Sequence, residues 1–487
     1  MEDSAEQRTS AFMEWLLSSG GLINSSVKLA DLPGTGMGRG VFAVDDIAED
    51  EVLFVIPRSA VLCSENSDLK SKMLHADSPN SKVQSVFESP WTELIVVMIY
   101  EFLKGADSQW KPYFDILPAE FNSLMFWSKE ELEELQASAV REKIGKESTD
   151  IGFRESLVPD FPELFRPSAH MRGPTASLES SLSDDEIISL AHRMGSTIMA
   201  YAFDLEKVAD EEPDGDDEGF VSDYEEVMAK GMVPLADMLN ADAHRNNARL
   251  FQTESGLEMR SVKPIQRGEE LFNDYGPLPR SDLLRRYGYI TENYAQFDVV
   301  EISFQKAVDA AGEHLEPGEL EARIRMLEDE GLYDSSYDLS HSTPSSSAFP
   351  DELLILINLL LLPRTPRKLP KPKKTYHTIA VLQRILAARI REYPTKLEDD
   401  EVLLQNGGLA LRKALAVEVR LGEKRVLKGA WLEIAGDSLG GEGAEHLMDI
   451  DTQGLGAKRE GEDLEMEREN TEERRDKRRK TDGDGLH

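Results

Sequence analysis

Residues 268–290, GEELFNDYGPLPRSDLLRRYGYI, constrain this chain more than any other stretch. Glu269 and Glu270 precede the apolar pair Leu271 and Phe272. Asn273-Asp274-Tyr275-Gly276 then has the composition of a turn, and Pro277 and Pro279 keep helix out until Ser281. The spacing predicts a strand that ends in a tight turn presenting Tyr275, followed by a helix over 281–289 that delivers Tyr287 and Tyr289. A lone turn tyrosine is ordinarily a packing or hydrogen-bonding residue. Chemistry enters only if other segments join it.

Two other segments are candidates. Residues 34–43 read GTGMGRGVFA and open into an alternating apolar run over 52–56. A dinucleotide fingerprint needs a third glycine three residues after the second, but that position is Arg39 counted from Gly34 and Val41 counted from Gly36. The fingerprint fails, and no GxxxxGK[ST] loop is present. What remains is either a plain hairpin turn or a backbone that approaches a ligand closely because it lacks side chains. The second segment, MVPLADMLN at 232–240, surrounds Asp237 and Asn240 with apolar residues, so both need partners if buried.

These three segments, in this order, resemble the SET-domain protein lysine methyltransferases. The closest resemblance is to the split-SET branch shared with the Rubisco large-subunit methyltransferase. Within it, LADMLNAD and FNDYGPLPRSDLLRRYGY are similar to the fungal ribosomal lysine methyltransferases. The implied fold is α+β: a SET domain of small antiparallel β-sheets with a helical insertion, followed by an all-α C-terminal substrate-binding domain. Expected boundaries are 1–92 for an N-terminal helix and the first SET half, 93–230 for the insertion, and 231–290 for the second half. Residues 291–440 form the helical domain and 441–487 a charged tail.

The resemblance also assigns roles. S-adenosyl-L-methionine is the expected cofactor, held by main-chain groups at Met37, Gly38 and Arg39, by Asn240 and Ala241, and near Tyr275. Tyr275 is the expected catalytic residue; Asp237, Tyr287 and Tyr289 are expected to line the lysine channel. The wider family has Asn-His where this chain has Asn240-Ala241, so that histidine contact is missing. His244, beside Arg245 and two asparagines, reads as a surface residue rather than a substitute base. A hydroxyl at Tyr289, where family members carry Tyr or Phe, implies monomethylation. The expected acceptor is a basic protein, a 60S ribosomal protein; the alternatives are a histone or other nuclear protein, or a non-catalytic SET-fold adaptor.

Composition narrows the field. Length, 487 residues, suffices for two or three domains, and 40% hydrophobic with 30% charged residues fits a globular protein. The single cysteine, Cys63, excludes intramolecular disulfides and multi-cysteine zinc sites, so no metal is expected. A net charge of −37 opposes general nucleic-acid binding; it serves either solubility or attraction of a basic partner. The first residues lack the basic region and long apolar core of a secretory signal. The apolar run 353–362 is half the roughly 20 residues a membrane span needs, and Asn358 interrupts it. A soluble intracellular monomer is expected, without membrane contact.

Along the chain, 5–19 predicts a helix stopped by Gly20-Gly21, and 92–105 another with a strong apolar stripe. Residues 128–144 predict a helix capped by Ser128. WKPYFDILP at 110–118 reads as a packed connector, 146–185 as a long loop, and 186–203 as an amphipathic helix. Residues 204–226 hold twelve acids against one lysine, in a register that does not fit a calcium loop. Helices over 351–361, 376–393 and 401–421 are separated by the basic linker PRTPRKLPKPKK and by Gly407-Gly408. The run RRDKRRK at 474–480 is a candidate import signal, from which nuclear localisation is expected, with the cytoplasm as a second site.

Overall fold

The computed structural model describes residues 5–31, 38–74, 89–161, 182–206 and 228–439. Met37, most of the acidic stretch, residues 162–181 and the tail with its basic run lie outside them.

Short strands with alternating burial form small antiparallel sheets. One sheet has the order β1 (Leu22–Ile23), β4 (Val52–Ile56), β8 (Leu257–Ser261), β7 (Ala248–Gln252). A second pairs β2 (Val27–Asp31) with β3 (Arg39–Ala43) and β3 with β9 (Glu270–Leu271), and β5 (Ala202–Leu205) pairs with β6 (Ala229–Met232). The register Val41↔Leu271 and Phe42↔Glu270 lays the tyrosine-turn stretch on the glycine segment. A bridge between Ala241 and Asn273 adds the third segment. Three pieces of chain remote in sequence are thereby stitched side by side by main-chain hydrogen bonds.

The helix Ala5–Ser18 buries Phe12 and Leu16. Gly20, at φ +92, ends it, and a Cβ on Gly21 would lie 2.8 Å from the Leu16 carbonyl oxygen. Pro90–Leu103 buries residues 94–99 and packs on Asp184–Tyr201, whose Ser183/Glu186 capping box satisfies its first turn. Glu101 is buried too; Ser67, Ser108 and Lys104 donate to its carboxylate. These donors offset the cost of removing the charge from water.

Two local expectations are corrected. The helix beginning at Ser128 runs only over Lys129–Glu133, because Gln136 adopts a left-handed φ of 54 and turns the chain. The stretch expected as loop from 146 starts with the helix Lys146–Gly152 and a wider turn at Phe153–Leu157, where Leu157 is buried in the core.

From residue 300 onward a separate apolar core joins Asp351–Leu361, Tyr376–Arg391 and the long helix Leu411–Leu439. This region is largely helical, with one two-stranded ladder added: β10 (Val300–Ser303) and β11 (Ser336–Leu339), in which Val300, Ile302, Tyr337 and Leu339 face the core at alternate positions. Gly407 and Gly408, both at positive φ, separate Leu397–Asn406 from the last helix.

Candidate active site

The cavity is built from backbone outward. Gly38 has φ +75, and among the described residues a Cβ there would meet nothing within 4 Å, so it is the left-handed conformation that requires glycine. Arg39 follows, its Nε donating to Asp31 Oδ1 at 2.8 Å and its Nη1 to the Ile116 carbonyl at 2.8 Å. Its side chain is thereby fixed at one wall.

Opposite lies the 232–241 segment. Leu235 is fully buried at φ 72, ψ −39, a strained geometry for a residue with a Cβ, costing about 1–3 kcal/mol. The turn Ala236–Met238 that follows aims Asp237 inward. Tyr113 donates its hydroxyl to Asp237 Oδ2, while Oδ1 has no hydrogen-bond partner among the described residues. Burial pushes the Asp237 carboxyl up to about 7, outweighing the Tyr113 hydrogen bond that lowers it. The acid is therefore poised to titrate near neutrality.

Asn240 is a cross-brace. Its Nδ2 donates to the Arg39 carbonyl at 2.9 Å and to Glu270 Oε1 at 2.7 Å, and its own carbonyl accepts from Asn273 N at 2.8 Å. Ala241 is buried in the bridge to Asn273 and does not line the cavity. Asp242 accepts from the backbone amides of His244 and Arg245 and from the side chains of Arg245 and Asn293. Burial raises the Asp242 carboxyl, but these donors win and hold it below the usual range. His244 is exposed, with Nε2 beside Gln296 at 3.0 Å, outside the cavity.

The tyrosines close the site. Tyr275 donates to the Leu239 carbonyl at 3.2 Å and stacks on Tyr287 with ring centroids 4.2 Å apart; Tyr289 meets Tyr287 edge-on at 6.3 Å. Burial pushes the Tyr275 phenol well above its ordinary value and Tyr287 up to about 12. Gly38, Arg39, Asp237, Asn240 and the three tyrosines share one cavity of about 350 Å³, within the range of small-molecule sites. The aromatic faces favour a cationic occupant.

The SET-domain family pattern matches residues 38–276, and the Rubisco LSMT substrate-binding pattern matches 318–427. The chain belongs to the SET-domain lysine methyltransferases of the Rubisco LSMT branch. It is 33% identical over 322 residues to ribosomal lysine N-methyltransferase 4 of Saccharomyces cerevisiae, a match spanning 64% of this chain and 62% of the yeast protein. It is 29% identical to N-lysine methyltransferase setd6 of Xenopus laevis, over 85% of this chain and 93% of that one. A crystal structure of the LSMT SET domain bound to lysine and AdoHcy superposes with TM-score 0.61 at 20% identity, covering 95% of this chain and 99% of the other. At that identity the likeness is one of fold.

Three residues that line or brace this SET-domain cavity escaped the sequence reading. Tyr113, read only as connector, holds Asp237 from 124 positions away. Tyr201, at the end of Asp184–Tyr201, lines the cavity, and burial pushes its phenol up to about 12. Glu270, half-buried with a raised carboxyl, anchors Asn240. A single sequence carries no signal for these pairings, because topology rather than local spacing creates them.

Proposed function

We propose that this chain transfers a methyl group from S-adenosylmethionine to the side-chain amine of a protein lysine. The observation that carries the reading is the convergence of Gly38, Asn240, Asp237 and Tyr275 on one tyrosine-walled cavity. The residues fit a sulfonium cofactor: a left-handed glycine turn for close main-chain approach, and aromatic faces toward positive charge. When bound, the cofactor supplies an electrophilic methyl group.

The chain's own residues supply alignment and a controlled charge environment. A lysine amine with pKa about 10.4 must be neutral to attack, which costs about 4 kcal/mol near pH 7.4 at 1.36 kcal/mol per unit. Desolvation on entering the cavity supplies part of that shift, because the ammonium, unlike the sulfonium, can shed its charge. Asp237, in the cavity wall with its carboxyl raised by burial, sets the charge beside the entering amine. Tyr275 is no general base near neutrality, since its phenol titrates well above the ordinary value. Instead its hydroxyl, tethered to the Leu239 carbonyl, positions the amine and faces the charge that moves through the transferring group. The Tyr289 hydroxyl occupies space a larger methylated amine would need, which supports a monomethyl product.

For the acceptor, the relatives' names divide. Those matching 81–86% of this chain include proteins named only N-lysine methyltransferase, so we place a histone or other nuclear protein first. The name of the Saccharomyces relative supports the second reading, a 60S ribosomal protein. The basic run at 474–480 supports action in the nucleus. Mass mapping of methyl-lysine in nuclear and ribosomal fractions, with and without the protein, decides between them. Loss of one monomethyl mark from the nuclear fraction is expected; loss from the ribosome alone would reverse the order, and no lost mark would contradict the activity.

A further inference from the structure

A second cavity, about 590 Å³, adjoins the first, and Glu120 and Phe121 line both. Its walls are Phe102, Phe121 and Phe126, with Leu182 and Leu190; Phe121 and Phe126 stack at 5.8 Å. Over this apolar floor sits Arg193, its guanidinium 5.0 Å from the Phe102 ring centroid. Of the groove's other charges, Glu120 is exposed at the seam of the two cavities and makes no ion pair with Arg193. Arg412 pairs with Glu131 at 2.7 Å and bonds Asn122 and the Phe126 carbonyl; Glu186 caps its own helix. Arg193 has no carboxylate partner among the described residues, and burial alone lowers its pKa. A half-desolvated guanidinium without an acid is uncommon, because the lost hydration is normally returned by a paired carboxylate.

We propose that this groove holds the polypeptide flanking the target lysine, and that Arg193 selects an acidic side chain next to an apolar residue in that polypeptide. The inference rests on the lysine methyltransferase reading and deepens it. Continuity through Glu120 and Phe121 lets one extended segment place a lysine in the tyrosine cavity while its neighbours lie in the groove. The apolar walls take the hydrophobic side chain. The guanidinium, fixed against Phe102, offers a preorganised fork to a carboxylate. Basic character in the substrate is then not sufficient, and one acid at a fixed distance from the lysine is required.

The test uses fluorescent lysine peptides, identical except that a Glu-Leu pair is stepped along either side of the lysine. Binding to the full chain, with S-adenosylhomocysteine present, is read by anisotropy. The expected result is a single register bound about fivefold tighter than its Gln-Leu counterpart, with the preference abolished by Arg193→Gln. Arg193→Glu moves the preference at that register to Lys-Leu peptides. No register preference, including no measurable binding, overturns the proposal, as does a preference that survives Arg193→Gln. Tritium transfer to the same peptides is read separately: register-specific binding without transfer counts against the methyltransferase reading and leaves the groove standing.

Discussion

The tyrosine cavity and the junction between the SET domain and the C-terminal helices both bury carboxylates, yet they treat them in opposite ways. At the junction Asp400 is fully buried, and both oxygens are used: Arg420 donates at 2.7 and 3.1 Å, Lys424 at 2.5 Å and Thr395 at 3.0 Å. Burial pushes its carboxyl up, but these donors prevail and hold it below the usual range. Glu423 likewise accepts from Ser138 on one oxygen and from Tyr393, at 2.7 Å, on the other. In the cavity wall Asp237 has one oxygen held by Tyr113 and the other buried without a hydrogen-bond partner among the described residues. A buried charge kept for architecture is saturated with partners. One left half-satisfied, in a cavity wall, keeps a raised carboxyl and marks a functional position.

The junction's saturation is the part most easily broken. Asp400→Ala leaves Arg420 and Lys424 buried without their acid, and is expected to lower unfolding free energy by about 3–5 kcal/mol in urea titration. A loss below about 1 kcal/mol would mean that water replaces the carboxylate and that the junction is not the dry network described.

Glu423 departs from the Asp400 pattern, because burial overrides its two hydroxyl donors and pushes its carboxyl from 4.5 up to about 7. The folded state therefore binds a proton more readily than the unfolded chain across that window. Stability falls as pH rises from about 4.5 to about 7 and is flat beyond. Relative to Glu423→Gln, the parent is expected to lose up to about 3 kcal/mol over this range. Parallel stability–pH curves for the two would remove Glu423 from the account.

The smallest effect belongs to the cavity's edge. Tyr289→Phe removes a buried hydroxyl and is expected to change the rate by less than about tenfold, while moving the product from monomethyl toward higher methyl states by intact mass. An unchanged product distribution would assign product control elsewhere.

How much was legible follows from the range of each interaction. The tyrosine turn and the Gly38 turn are set by local backbone requirements and are readable as turns from proline and glycine, whereas the 232–240 segment and the joining of all three rested on the family resemblance. Ser128 was readable as a cap, but the helix length after it was not, since the turn is held by remote partners: Thr395 bonds Gln136, and Arg420 of the last helix bonds the Glu134 carbonyl. The partner of Asp237 was beyond reach for the same reason. Tyr113 sits in an aromatic run whose composition says only that it is buried, and nothing nearby indicates which acid it will meet. Arg193 looked like one polar position on an amphipathic helix, and its lack of an acid shows only once the surrounding elements are placed.

Transfer from tritiated S-adenosylmethionine to lysine in a nuclear protein fraction, compared for the parent and Tyr275→Phe, tests the central claim most directly. The account predicts label on lysine with the parent and at least about a hundredfold less with the variant, at similar cofactor affinity by calorimetry. Equal labelling by the two proteins would contradict it.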